Sequence, residues 1–104
     1  MNIQEIYQNL CEALTKMEDG GIDDAAKLDL EILVIQLKKQ LLLGIFDPLK
    51  EVSGVTVADV SKLNDLVGRV DEVIQDESAR DKLVKKIVGT AKIGLKAAGL
   101  PIPS

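Results

Sequence analysis

A chain of 104 residues supports one domain with one core, and 46% hydrophobic content is enough apolar material to offset the entropy of ordering, which argues against disorder. The absence of histidine removes the commonest general base near neutral pH and the commonest transition-metal ligand, which argues against a hydrolase or a zinc site. The net charge of -4 is unevenly spread: residues 1–77 carry 16 acids and 7 bases (-9), residues 78–104 carry 1 acid and 6 bases (+5).

Tyr7 and Phe46 are the only aromatic residues, so the core is expected to be aliphatic, which suits helices packed side by side. A single cysteine, Cys11, cannot form an internal disulfide, which points to a reducing, cytoplasmic setting. The longest apolar run, Leu41 to Phe46, is interrupted by Gly44 and is far too short for a membrane span; no export signal is recognisable.

In chain order, Asn2 with Glu5 three residues on reads as a capping box opening a first helix. Ile3, Ile6, Tyr7, Leu10, Cys11, Leu14 and Met17 fall on one arc of about 140° at ~100° per residue, with Asn9 and Lys16 outside it. Gly20-Gly21 ends this helix.

Asp23 or Asp24 caps a second helix to about Leu43 that has two apolar faces. Ala26, Leu30, Leu33, Val34, Leu37 and Leu41 form one stripe; Ala25, Leu28, Ile32, Ile35, Leu42 and Leu43 form a roughly opposite one. Polar strips separate them, with Lys27, Glu31 and Lys38 on one side and Asp29, Gln36 and Gln40 on the other. Such a helix must be covered on both faces, either at the centre of its own domain or between its domain and another chain. A buried strand over Leu28 to Leu37 is the alternative, weakened by the lack of an evident partner strand.

Asp47-Pro48 opens a short helix to Val52, expected to be a connector. Thr56, with Asp59 in the capping-box position, opens a third long helix whose Val60, Leu63, Leu66, Val67, Val70, Val73 and Ile74 form a single arc. A fourth starts at Asp76 or Ser78 and runs to about Ala98, with Leu83, Val84, Ile87, Val88, Ala91, Leu95 and Ala98 inward. Gly99 and Pro101 stop it, and residues 100–104 form a tail that either drapes over an apolar surface or hangs free. The expected fold is all-α, a four-helix bundle or similar array over residues 1–99 with a short extra helix between the second and third long ones.

No constellation of catalytic residues stands out. Cys11 lies on an apolar arc without a histidine to activate it and reads as a core residue. Asp19-Gly20-Gly21-Ile22 echoes a calcium-binding loop, but Thr15, Met17 and Ala26 stand where oxygen ligands are needed, so a helix-helix turn is the better reading. Gly89 and Gly94 have the spacing of a phosphate-binding loop, but Leu95-Lys96 follows and no strand precedes; small residues there suit close approach between helices. Glu72, Asp76 and Glu77 read as a solvated acidic corner.

The remaining pattern is basic. Lys82, Lys85, Lys86, Lys92 and Lys96 fall within about 120° opposite the apolar face of the fourth helix. The stripe reads as a solvated face, as a docking site for an acidic protein surface, or as a contact for phosphates or anionic lipids. Few arginines and no interleaved aromatics argue against base readout.

The sequence therefore predicts a protein interaction or regulatory module with no enzymatic activity, no cofactor and no metal, self-associating through Leu28, Ile32, Ile35 and Leu42, with the lysine stripe as a second candidate partner surface. The alternative is a nucleic-acid-associated accessory protein acting through those lysines.

Overall fold

A computed structural model describes residues 1–51 and 62–102. Helix α1, Ile3–Asp19, starts from the expected capping box: Asn2 Oδ1 accepts from the Glu5 backbone N–H at 2.8 Å and Glu5 Oε1 accepts from that of Asn2 at 3.1 Å. At its other end Gly21 takes φ +72°, so that Ile22 N–H donates to Met17 C=O at 2.9 Å and Gly21 N–H to Glu18 C=O at 3.0 Å. This Schellman arrangement satisfies two carbonyls that the helix leaves open.

Asp24 is the residue that caps α2, Ala25–Leu43, accepting from Lys27 N–H at 3.0 Å. Two short helices, α3 (Leu63–Gly68) and α4 (Val70–Val73), lead into α5, Glu77–Ala97, which Asp76 caps through Ala79 N–H at 3.2 Å. The protein is thus an all-α bundle, and among the described residues no strand forms.

α1 and α5 share the centre of the bundle, each packing against all four other helices, whereas α2 touches only α1 and α5. Of the two ways to cover a doubly apolar second helix, the intrachain one is therefore not realised among the described residues. Centrality widens the buried face of α1 to include Ala13 and Asn9, which the apolar arc leaves out. Asn9 tolerates burial because its Nδ2 donates to Glu5 C=O at 2.9 Å.

The third long helix departs from expectation. Thr56, Asp59 and Val60 lie outside the described residues, and the remainder breaks at Arg69, whose N–H turns back to Leu66 C=O at 3.1 Å in a tightened turn. Gly68 lowers helix propensity at the break, and Lys16 Nζ from α1 donates to Val67 C=O at 3.3 Å and pairs with Asp71 at 3.0 Å. Leu63, Leu66, Val67 and Val70 still face the core.

Over Asp47–Lys50 the chain makes a single hydrogen-bonded turn where a short helix is expected to open, with Lys50 N–H on Asp47 C=O at 3.2 Å; Val52 lies outside the described residues. The turn is fixed to the start of α1 by Gln4 N–H donating to Pro48 C=O at 2.9 Å.

At the far end, Gly99 at φ +88° places Leu100 N–H on Leu95 C=O at 3.0 Å, a second Schellman closure. Of the two placements open to the tail, the draped one is found over residues 100–102: Leu100 and Ile102 are buried in the core cluster with Ile3, Leu10, Leu37 and Leu95.

Candidate interaction surface

The two stripes of α2 have opposite fates. Ala26, Leu30, Leu33, Val34 and Leu37 are buried and Leu41 is half-buried. On the other stripe Leu28 is 54%, Ile32 45%, Ile35 59% and Leu42 78% exposed, and Ala25 and Leu43 are exposed as well. Most of the large exposed apolar side chains of the described residues thus belong to one helix face. Single exposed apolar residues are ordinary on protein surfaces, whereas a contiguous patch marks an interface.

One charge sits inside that face. At ~100° per residue Lys39 falls between Leu28 and Ile32, about 20° from each, and it is exposed with no ion pair among the described residues. Glu31, at the edge of the face, is half-exposed and only loosely paired with Lys27 at 3.7 Å. The sequence reading passes over Lys39 because it follows the apolar residues; sorting every residue of the helix by angle would have found it.

The lysine stripe divides. Lys85 and Lys92 border a groove of about 380 Å³ between α2 and α5, floored by Ala26, Leu33, Val84 and Val88 and flanked by Ile32 and Asp29. Gly89 lies in that groove, and a Cβ there would meet nothing within 4 Å, so this glycine opens space instead of allowing close helix approach. Gly94 is buried in the helix interior, not in a phosphate-binding loop. Lys86 borders a different groove, between α3 and α5, with Lys62, Arg69 and Asp65. Lys82 and Lys96 are exposed. The structure thus joins Ile32 with Lys85 and Lys92 and sends Lys86 elsewhere.

Arg80 is the basic residue that the stripe omits and the structure buries. Its Nη1 donates to Ile74 C=O at 2.7 Å and its Nη2 to Asp24 Oδ2 at 2.9 Å. The hydrogen bond from Lys27 N–H, aided by Arg80 against the opposing effect of burial, holds the Asp24 carboxyl below its ordinary pKa.

Cys11 is half-buried against the core, and its side chain is the chief cause of a raised pKa at nearby Tyr7. Glu72, Asp76 and Glu77 are exposed, and Asp76 and Glu77 serve the start of α5, where negative charge is favourable. Among the described residues no three Cys, Asp or Glu side chains gather as metal ligands, and no helix is long and apolar enough to cross a membrane. Compared with known protein families, curated proteins and solved structures, the chain matches none.

Proposed function

We propose that this chain is a non-enzymatic interaction module that pairs with a second copy of itself through the exposed face of α2. The observation that carries this reading is the exposure of Leu28, Ile32, Ile35 and Leu42 along one face of a helix whose other face packs on the core through Ala26, Leu30, Leu33, Val34 and Leu37. Covering such side chains stabilises by roughly 25 cal/mol per Å² of apolar surface removed from water, which gives the face a standing drive to associate.

A second copy suits the face because the face complements itself. It offers a partner helix of equal length, and its charges come in both signs, Lys38 and Lys39 against Glu31. The nucleic-acid reading draws less support, since the lysines divide between two separate grooves, Lys85 and Lys92 beside Asp29 and Lys86 with Lys62 and Arg69 beside Asp65, and form no continuous track for a phosphate backbone.

Sedimentation equilibrium over a range of concentrations tests the proposal. The wild type is expected to approach twice the chain mass, and Ile32→Asp to remain a folded monomer. A wild type that stays monomeric at several hundred micromolar overturns the proposal.

A further inference from the structure

We infer that the pair is antiparallel, with Ile35 on the two-fold axis and Lys39 of each copy facing Glu31 of the other. The inference rests on the self-pairing reading and adds its register and orientation, which are set by where the charges of α2 lie.

Two identical helices that meet face to face have two symmetric arrangements. When the two-fold axis runs along the helices, the copies are parallel and in register, and each residue at the middle of the face meets itself. Lys39 lies in the middle, so the two ammonium groups would be forced together in the seam as it loses water. That axis also brings opposite edges of the face together. The edge that carries Lys27, Glu31 and Lys38 then meets the edge of Asp29, Gln36 and Gln40, which offers Glu31 no base.

When the axis is perpendicular to the helices, the copies are antiparallel and like edges share a side. Centring the axis on Ile35 sets Leu28 opposite Leu42 and Lys39 opposite Glu31, each twice by symmetry. Lys38, on the same edge as Glu31, falls beside the same carboxylate. Leu28, Ile35 and Leu42 then cover one another, Ile32 lies against the aliphatic stem of the other copy's Lys39, that lysine gains an acid, and the helix dipoles oppose. Glu31 is available for this, because its contact with Lys27 is long, at 3.7 Å, and its own side chain is 41% exposed.

Cysteine cross-linking in a Cys11→Ala background separates the arrangements. Leu28 and its symmetry mate lie about 21 Å apart along the axis when antiparallel, from 14 residues at 1.5 Å each, but face each other when parallel. Ile35→Cys is expected to form a disulfide dimer, Leu28→Cys alone is not, and Leu28→Cys mixed with Leu42→Cys is expected to give the heterodimer. Lys39→Glu should weaken the dimer by on the order of tenfold, and adding Glu31→Lys should restore it.

A dimer in which Leu28→Cys and Leu42→Cys each cross-link to themselves overturns the antiparallel arrangement while leaving self-pairing intact. So does a dimer that the second charge reversal fails to restore. Absence of any wild-type dimer in the sedimentation experiment removes both.

Discussion

Arg80 Nη2 donates to Asp24 Oδ2 at 2.9 Å across 56 residues of sequence, fastening the start of α2 to the first turn of α5. The same guanidinium holds Ile74 C=O at 2.7 Å, just beyond α4, so one side chain clasps three elements. Replacing Arg80 with Met keeps much of the buried stem but removes both contacts to the charged end. Charge-assisted hydrogen bonds contribute about 1.5–3 kcal/mol each, so Arg80→Met should lower stability by at least about 2 kcal/mol in urea unfolding. The α2 face is distant from this clasp in role, and self-association measured below the unfolding transition should persist.

Asp24 also gives the start of α2 a pH signature, set first by the Lys27 N–H hydrogen bond and then by Arg80. The folded-state pKa of Asp24 lies below its ordinary value of 3.8, so its contribution is fully present above that value and is lost as pH falls through the folded pKa. Asp24→Asn retains a good N-cap side chain but abolishes the ion pair. The gap in unfolding free energy between wild type and Asp24→Asn should therefore be constant near neutral pH and narrow below pH 3.8. A gap unchanged down to pH 2.5 would show that the carboxylate charge contributes nothing there.

Gly20 ends α1 against α4, and a Cβ built on it would lie 2.7 Å from Ile74 Cγ1. The backbone of Gly20 is ordinary, with φ -78°, so alanine would meet no conformational penalty and would restrict the unfolded chain. The clash decides the sign. Gly20→Ala is expected to destabilise by about 1–3 kcal/mol, as overpacking does, and the cost should shrink in an Ile74→Ala background, where the obstructing atom is gone. Additive effects of the two changes would refute the close approach.

Helix ends were the most legible part of this sequence because capping is local. Asn2 with Glu5, Asp24, Asp76, Gly44 and Gly99 act within a few residues of themselves, and each marks an end found in the structure. The two stripes of α2 were legible for the same reason, being a matter of period. Which helices share the centre was not, since that depends on partners distant in sequence: Asn9 and Ala13 are buried because α1, like α5, packs against four other helices. Arg80 eluded the pattern likewise. It belongs to a basic segment, and only Asp24 and Ile74, placed by the fold, make its burial tolerable. The break at Arg69 needed Lys16, more than fifty residues away, to take a carbonyl the helix lets go.

Adjacent residues of α2 should respond oppositely to the same insult. Ile32 is 45% exposed and Leu33 is 1% exposed. Leu33→Asp buries an unpaired carboxylate and is expected to abolish cooperative unfolding, whereas Ile32→Asp should keep the helical circular dichroism spectrum and lose no more than about 1 kcal/mol of monomer stability. Comparable unfolding by both would place Ile32 in an intrachain core and remove the basis for pairing through this face.

The lysines of α5 yield the last prediction. Lys85 and Lys86 are adjacent in sequence but border different grooves, each also holding a carboxylate, Asp29 beside Lys85 and Asp65 beside Lys86. Residues 1–77 carry a charge of -9, which repels a phosphate backbone at long range at low salt and leaves little attraction at physiological salt, where screening acts within about 8 Å. Lysines are also point charges without the bidentate geometry that reads base edges. Fluorescence anisotropy with a labelled DNA duplex near physiological salt should therefore show no saturable binding below roughly 100 μM, the weak end of ordinary non-specific affinity. Because both residues are exposed, Lys85→Glu with Lys86→Glu should leave melting unchanged within about 0.5 kcal/mol. Micromolar DNA binding that falls steeply with added salt and vanishes in that double variant would instead make phosphate recognition the function of this helix, with the α2 face reduced to an accessory contact.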